Sequence, residues 1–134
     1  MDIIFSANIS ELPNMLGWIR ERLSPLPMNK TDKRKIELAL EEALVNIIRY
    51  AYKSSDGKIT IEYKLSSNHG VIFRISDQGA PFNPLKKVSK IDLKVSLDER
   101  KLGGLGIPFI FELMDEISYE RKGNSNILYL KKKF

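Results

Sequence analysis

The segment from residue 29 to residue 52 constrains the fold more than any other part of the chain. Asn29 or Thr31 can cap a helix at its start, and the segment runs on for more than 20 residues without a glycine or proline. Its apolar residues recur at helical spacing along one arc, formed by Ile36, Leu40, Ala43, Leu44, Ile47, Ile48 and Ala51. A helix with one apolar side needs a second apolar layer, and the sequence that follows offers a sheet.

The other predicted elements complete a two-layer fold. Alternating apolar residues predict strands at 2–7, 58–65 and 71–76, and a final hairpin of strands 117–121 and 127–132 around Gly123. Two more helices are predicted, one from Ser10 as its cap to Leu23 and one over 106–114. These elements predict the α+β class, a two-layer sandwich whose mixed, mostly antiparallel sheet is covered on one face by about three helices. The length of 134 residues fits one domain, 1–134.

Composition excludes several classes of protein. No apolar run approaches the roughly 20 residues that a membrane helix needs, and the N-terminus lacks the pattern of a signal peptide. The chain has no cysteine, which excludes disulfides and thiolate zinc sites and fits a cytoplasmic location. The net charge of +5 comes from dispersed lysines and arginines, without a basic stripe interleaved with aromatics. We therefore expect neither a nucleic-acid nor a membrane partner.

Glu42 and Asn46 form the first candidate pair for chemistry. They lie four residues apart on the long helix, so they share one face, at the border of the apolar arc. A glutamate can act as a general base toward a hydroxyl, and an asparagine oxygen is a hard ligand suited to Mg²⁺. Polar pairs at this spacing usually have no chemical role, so the pair needs support from other motifs. Glu37 and Glu41 fall on the other border of the arc and are expected to face solvent.

Asp77 directly follows a predicted strand and begins a second motif. A carboxylate in an apolar slot can accept a hydrogen bond from an exocyclic amine such as that of adenine, and would reject a base without that donor. Gly79 allows the backbone to approach a flat ligand, and Phe82 can form a wall of the pocket. An ordinary turn that closes the strand would explain the same residues when they are taken alone.

A glycine-rich stretch at residues 103–106 opens the helix predicted over 106–114. The backbone N–H groups of Gly103, Gly104, Leu105 and Gly106 can bind phosphate at a helix N-terminus, although a flexible hinge explains the same residues equally well. The preceding residues 77–102 carry no clear secondary-structure pattern. A loop of that length in a compact domain is typically a functional lid or disordered.

Together the three motifs, in this order, resemble the GHKL (Bergerat-type) ATP-binding fold. Within it, the chain is similar to the small bacterial anti-sigma-factor serine/threonine kinases of the RsbW and SpoIIAB group, with Glu-Ala-x-x-Asn, Asp-x-Gly-x-x-Phe and Gly-Gly-Leu-Gly-Ile in place. The resemblance implies a histidine-kinase-like ATPase domain with ATP and Mg²⁺ as cofactors and an ATP lid at about 83–102. It implies Glu42 as the catalytic base, Asn46 as the metal ligand and Asp77 as the adenine acceptor. The other implied nucleotide contacts are Arg49, Gly79, Phe82, Arg100, Lys101, Gly103, Gly104, Leu105 and Gly106.

The same resemblance implies a function in partner switching. A kinase of this group phosphorylates a serine or threonine of an anti-sigma-factor antagonist, a STAS-domain protein, and also binds a sigma factor or a similar target. Such kinases commonly form homodimers. A nucleotide-gated protein-binding module without kinase activity would carry the same three motifs and remains the alternative. The chain departs from the family at Tyr50-Ala51-Tyr52, where a histidine is common. A second departure is the last strand, Asn126-Ile-Leu-Tyr-Leu, which shows no obvious counterpart of the serine or threonine that often supports adenine in the family.

Overall fold

The computed structural model describes residues 1–52, 57–66, 69–83 and 112–134. The first part contains strand β1 and two helices, and the remaining parts contain four strands. The bounds are β1 Asp2–Ser6, α1 Leu12–Leu23, α2 Lys30–Asn46, β2 Lys58–Ser66, β3 Gly70–Asp77, β4 Glu116–Lys122 and β5 Ser125–Lys133. The predicted helix over 106–114 and the predicted lid lie almost entirely outside the described residues.

The five strands form one sheet in the order β1-β2-β3-β5-β4, and each neighbouring pair is antiparallel. β3 lies at the centre, because β2 and β5 flank it. The register places Asp77, the last residue of β3, opposite Ile59 on one side and Asn126 on the other. The end of the central strand therefore lies inside the sheet, between two paired neighbours.

The core lies between the sheet and the two helices. Alternate residues of the central strands are fully buried, among them Ile59, Ile61, Phe73 and Ile75. They belong to one hydrophobic cluster with Ile36, Leu40 and Leu44 of α2 and with Met15 and Ile19 of α1. The predicted α+β two-layer class is thus confirmed, with an antiparallel sheet in the described part of the chain. No helix within the described residues is long and apolar enough to cross a membrane.

Side-chain caps determine where the helices begin. The Asn29 side-chain oxygen accepts a hydrogen bond from the Asp32 N–H at 2.7 Å, so Asn29 is the cap of α2. The predicted Ser10 cap is wrong. Asn8 caps a 3-10 turn at Ile9–Glu11 instead, and α1 begins only at Leu12.

Two features of α2 differ from the prediction. The helix is α-helical only to Asn46 and continues as a π-helical turn, Ile47–Ala51. Glu37 does not face solvent: its side chain is 9% exposed and forms ion pairs with Arg20 of α1 and Arg34 of α2. The guanidinium of Arg20 comes from a neighbouring helix, and this partner makes burial of the carboxylate tolerable.

Candidate functional site

Asp77 places a buried carboxylate at the end of the central strand. The residue is 1% exposed, and its Oδ1 accepts hydrogen bonds from the Gly79 N–H and from Asn126 Nδ2, both at 2.9 Å. Burial raises the pKa of the Asp77 carboxyl, while the bonds from Asn126 and Gly79 and the charge of Arg121 act in the opposite direction. The result is a desolvated acceptor, and a desolvated acceptor interacts strongly with a ligand donor.

Gly79 lies directly against the end of the π-helical turn. The neighbouring Ala80 N–H donates to the Ala51 carbonyl oxygen at 2.8 Å. A Cβ at position 79 would lie 2.3 Å from that same oxygen, a distance that real Cβ atoms do not reach. Glycine is therefore required here by the close approach of two backbone segments.

The segment 50–52 contacts the loop that follows β3 at two further points. The Tyr52 hydroxyl donates to the Lys58 carbonyl at 2.6 Å and accepts from the Gln78 N–H at 2.7 Å. Burial raises the pKa of this phenol. The ring of Tyr50 stacks on Phe82, with ring centroids 5.7 Å apart. Tyr50 and Tyr52, which depart from the family pattern, thus bind the 77–82 loop to the end of the helix. This end is a π-helical turn, a feature often found at functional sites.

Asn46 lies one turn before this contact, on the last turn of α2. It is 1% exposed, and its Nδ2 donates to the Glu42 carbonyl at 2.8 Å. Its Oδ1 is buried and has no hydrogen-bond partner within the described part of the chain. A buried oxygen in this condition is unfavourable until a donor or a cation reaches it.

The environment of Asn46 therefore fits Mg²⁺. Among the described residues no group of three His, Cys, Asp or Glu side chains could hold a metal ion. Mg²⁺ in nucleotide sites takes few ligands from the protein and is completed by phosphates and water, so one amide oxygen is compatible with this ion. Glu42 is partly exposed on the preceding turn, with its Oε2 atom buried.

The structure brings some of the predicted site residues together. Asp77, Gly79 and Phe82 lie in one loop that contacts the end of the helix bearing Glu42 and Asn46. Arg49 is exposed within the π-helical turn. The remaining predicted residues lie outside the described residues, and they are Arg100, Lys101, Gly103, Gly104, Leu105 and Gly106.

Asn126 is a residue of this site that the sequence did not assign to it. Its side chain is buried against the 77–82 loop. The Nδ2 atom donates to both Asp77 Oδ1 and the Ala80 carbonyl. The nearby Arg121 donates to the Gly79 carbonyl at 2.9 Å. The available signal was a polar residue directly before the apolar run 127–130, but its pairing with Asp77 depends on the strand register.

The fold is a two-layer α+β sandwich with the buried Asp77 at the end of its central strand, and the loop after Asp77 contacts the end of the helix that carries Glu42 and Asn46. This arrangement is that of an ATPase domain of the histidine-kinase type. The model of the family described as "Histidine kinase-like ATPase domain" matches residues 5–132. The chain belongs to this family, and the predicted GHKL resemblance is confirmed.

Curated relatives carry a more specific name. The chain is 33% identical over 103 residues to "Serine-protein kinase RsbW" of Bacillus mycoides (strain KBAB4), which covers 75% of this chain and 64% of the relative. It is 30% identical over 98 residues to the protein of the same name from Listeria monocytogenes serovar 1/2a, covering 69% of this chain and 62% of the relative. The matches thus span less than two thirds of these relatives.

Solved structures share the fold. A structure of the RsbU and RsbW domains of a Mycobacterium tuberculosis protein superposes with a TM-score of 0.67 at 17% identity, covering 99% of this chain and 32% of that chain. The histidine kinase domain of a blue-light activated histidine kinase from Erythrobacter litoralis gives a TM-score of 0.58 at 14% identity, covering 92% of this chain and 59% of that chain. At these identities the likeness concerns the fold alone.

The close approach at Gly79 leads to a prediction. In Gly79→Ala the added methyl group collides with the Ala51 carbonyl, so the loop must move away from the helix end. We expect a lower melting temperature and an ATP affinity reduced by roughly 10-fold or more, since loss of one buried hydrogen bond costs about 1–3 kcal/mol. Thermal unfolding and calorimetry measure the two effects.

Gly17→Ala is the matched control for Gly79→Ala. Gly17 lies within α1, and a Cβ there meets no atom within 4 Å in the described structure. Alanine in a helix interior is favoured over glycine by about 0.5–1 kcal/mol, so this variant should be as stable as the wild type or more so. Equal stability and ATP affinity in Gly79→Ala would show that the close approach is not required.

Proposed function

We propose that the chain is an ATP-dependent serine/threonine protein kinase of a bacterial partner-switching system. Its substrate would be an anti-sigma-factor antagonist of the STAS type, and the same kinase would bind a sigma factor or a similar regulator. The observation that carries the proposal is the pairing of Glu42 and Asn46 on successive turns of a helix whose end holds the Asp77 loop. The name of the relatives, serine-protein kinase, supports the choice of hydroxyl substrate.

The proposal assigns each part of the nucleotide to a part of the chain. Asp77 accepts the exocyclic amine of adenine, Gly79 allows the backbone to approach the base, and Phe82 forms one wall. The glycine-rich stretch 103–106 binds the phosphates, and the lid, about 83–102, ends in Arg100 and Lys101, which offset charge at the γ-phosphate. Arg49, exposed one turn beyond Asn46, is a further phosphate contact.

Phosphoryl transfer then depends on positioning and on one proton acceptor. A serine or threonine hydroxyl of the partner approaches the γ-phosphorus, and Glu42 accepts the hydroxyl proton as the new P–O bond forms. The bond between the γ-phosphorus and the bridging oxygen breaks, and ADP leaves with that oxygen. Asn46 Oδ1 would hold Mg²⁺, and the ion would offset the negative charge of the phosphates. Among the described residues, Asn46 is the group that we assign to hold it.

Asn46→Ala tests the metal assignment. Removal of the amide oxygen should reduce ATP affinity measured with Mg²⁺ to the level that the wild type shows with EDTA, because the variant loses the metal-dependent part of binding alone. Calorimetry with and without Mg²⁺ provides the comparison. Asn14→Ala in α1, where the side chain is exposed and bonded to Glu11, is the control and should bind like the wild type. A persisting Mg²⁺ effect in Asn46→Ala would reject the assignment.

The proposed function as a whole is tested with γ-labelled ATP, Mg²⁺ and a set of purified STAS-domain proteins from the same organism. We expect label on one of them in an acid-stable, alkali-labile linkage, as a serine or threonine phosphoester requires. Acid-labile label would indicate phosphohistidine and a histidine kinase instead. ATP-dependent complex formation without label would identify the nucleotide-gated binding module.

A further inference from the structure

The side chain of Asn126 forms four hydrogen bonds in a buried position. Nδ2 donates to Asp77 Oδ1 at 2.9 Å and to the Ala80 carbonyl at 2.8 Å. Oδ1 accepts from the Phe82 N–H at 3.1 Å and from the Tyr119 hydroxyl. The residue is 4% exposed, so these bonds are shielded from water.

These four bonds use the whole capacity of the amide. An asparagine side chain has two N–H donors and one oxygen with two lone pairs. A serine or threonine hydroxyl can rotate toward a ligand, but this amide has neither a donor nor an acceptor left for one. Asp77 Oδ1 is likewise occupied, because it accepts from both Gly79 N–H and Asn126 Nδ2.

We propose that Asn126 is the positioning residue of the adenine pocket. It does not contact the base, but it fixes the Asp77 carboxylate so that only Oδ2 is left to accept a hydrogen bond from the exocyclic amine of adenine. The proposal rests on the ATP site proposed above and adds a basis for its base specificity. It also implies that the acceptor is oriented before the nucleotide arrives.

A purely structural role is a poor explanation for these contacts. The backbones of β3 and β5 already pair at Asp77 and Asn126, so the sheet does not need this side chain. The 77–82 loop is bound independently by Tyr52, through Gln78, and by Arg121, through Gly79. Besides its two bonds to this loop, at Ala80 and Phe82, the Asn126 amide adds a donor to the Asp77 carboxylate, the group proposed to bind the base.

Asn126→Asp removes both donors and keeps the acceptor, in a side chain of the same size. At pH 7.5 we expect ATP affinity to fall about 10- to 100-fold, because Asp77 loses one of its two donors and faces a second carboxylate. Inosine triphosphate, which carries a carbonyl in place of the exocyclic amine, should bind the wild type far more weakly than ATP. The variant should lose this preference, whereas general damage to the pocket would weaken both nucleotides equally.

The pH profile provides a readout that a structural role would not change. Two facing carboxylates retain one proton more readily than one carboxylate does, and the substituted side chain, once protonated, can again donate to Asp77. ATP affinity of Asn126→Asp should therefore rise between pH 7.5 and 5.5, while that of the wild type does not. The described groups that face the pair are Arg121, Tyr119 and Tyr52.

Two further variants complete the experiment, with calorimetry at both pH values and circular dichroism to verify folding. Asn124→Asp, exposed in the turn between β4 and β5, should behave as the wild type. Tyr119→Phe removes one hydrogen bond to Asn126 Oδ1. It should lower the preference for ATP over inosine triphosphate by a smaller factor and leave the pH profile unchanged. This variant tests the same hydrogen bonds if Asn126→Asp does not fold. Normal ATP preference in the folded variants overturns the inference alone, whereas absence of ATP binding by the wild type overturns the proposed function with it.

Discussion

Glu42→Gln should reduce phosphoryl transfer to a STAS substrate by about 10²- to 10⁴-fold, the usual contribution of a general base, and leave ATP affinity within about 3-fold of the wild type. The amide is the same size as the carboxylate but does not accept a proton from the incoming hydroxyl. Glu42 is assigned to the substrate hydroxyl and not to the nucleotide, so binding and transfer should separate. Single-turnover transfer of label and calorimetry of ATP binding measure the two quantities.

Glu41→Gln is the matched control for Glu42→Gln. The two glutamates are adjacent on α2 and both are partly exposed, but they fall on opposite borders of the apolar arc. The control variant should transfer phosphate at the wild-type rate. Loss of ATP binding together with transfer in Glu42→Gln would move Glu42 from catalysis to nucleotide binding. Undiminished transfer would remove the base assignment entirely.

The apolar layer could be predicted because hydrophobic periodicity reports burial directly. Ile36, Leu40 and Leu44 of the predicted arc are fully buried in α2, and Ile59 and Ile61 of the predicted alternation are fully buried in β2. Each of these positions depends on local spacing, 3.6 residues in a helix and two in a strand. Local spacing was sufficient for the fold class.

Features that depend on distant partners could not be predicted in the same way. The place of Glu37 at the border of the apolar arc predicts exposure to solvent, yet Arg20 from another helix compensates its charge and allows burial. The four bonds of Asn126 join it to residues as far as 49 positions away, and the bond to Asp77 follows from the β3–β5 register. The π-helical turn Ile47–Ala51 is likewise stabilised by tertiary contacts of Ala51 and Tyr52, which sequence periodicity does not report.

Asp77→Asn should reduce ATP affinity by about 100-fold or more while leaving the fold intact. The amide oxygen can still accept the bonds from Gly79 N–H and Asn126 Nδ2, so the loop keeps its contacts. The other atom becomes an NH₂ group, which would place a donor against the exocyclic amine of adenine. A buried site built for one hydrogen bond strongly rejects a mismatched partner. Calorimetry with ATP measures the loss.

Although Asp77→Asn should lower ATP affinity, it should not lower the stability of the nucleotide-free protein. Burial raises the pKa of Asp77 in the folded state above its unfolded value, so the ionised carboxylate is less favourable in the folded protein. This loss of stability is absent below the pKa that Asp77 has in the unfolded protein. It grows as the pH rises through the pKa that Asp77 has in the folded protein. Asp77→Asn removes it, so its melting temperature should equal or exceed that of the wild type at pH 7.5, with a smaller advantage at pH 4.

Loss of ATP affinity combined with retained or increased stability would be the signature of a residue held in place for its ligand. Asp2→Asn, exposed on the edge strand β1, is the matched control and should change neither quantity. Unchanged ATP affinity in Asp77→Asn would mean that the carboxylate does not accept a hydrogen bond from adenine. A variant that unfolds would contradict the argument that the amide preserves both bonds, and Asp77 would then be a structural residue whose charge the fold requires.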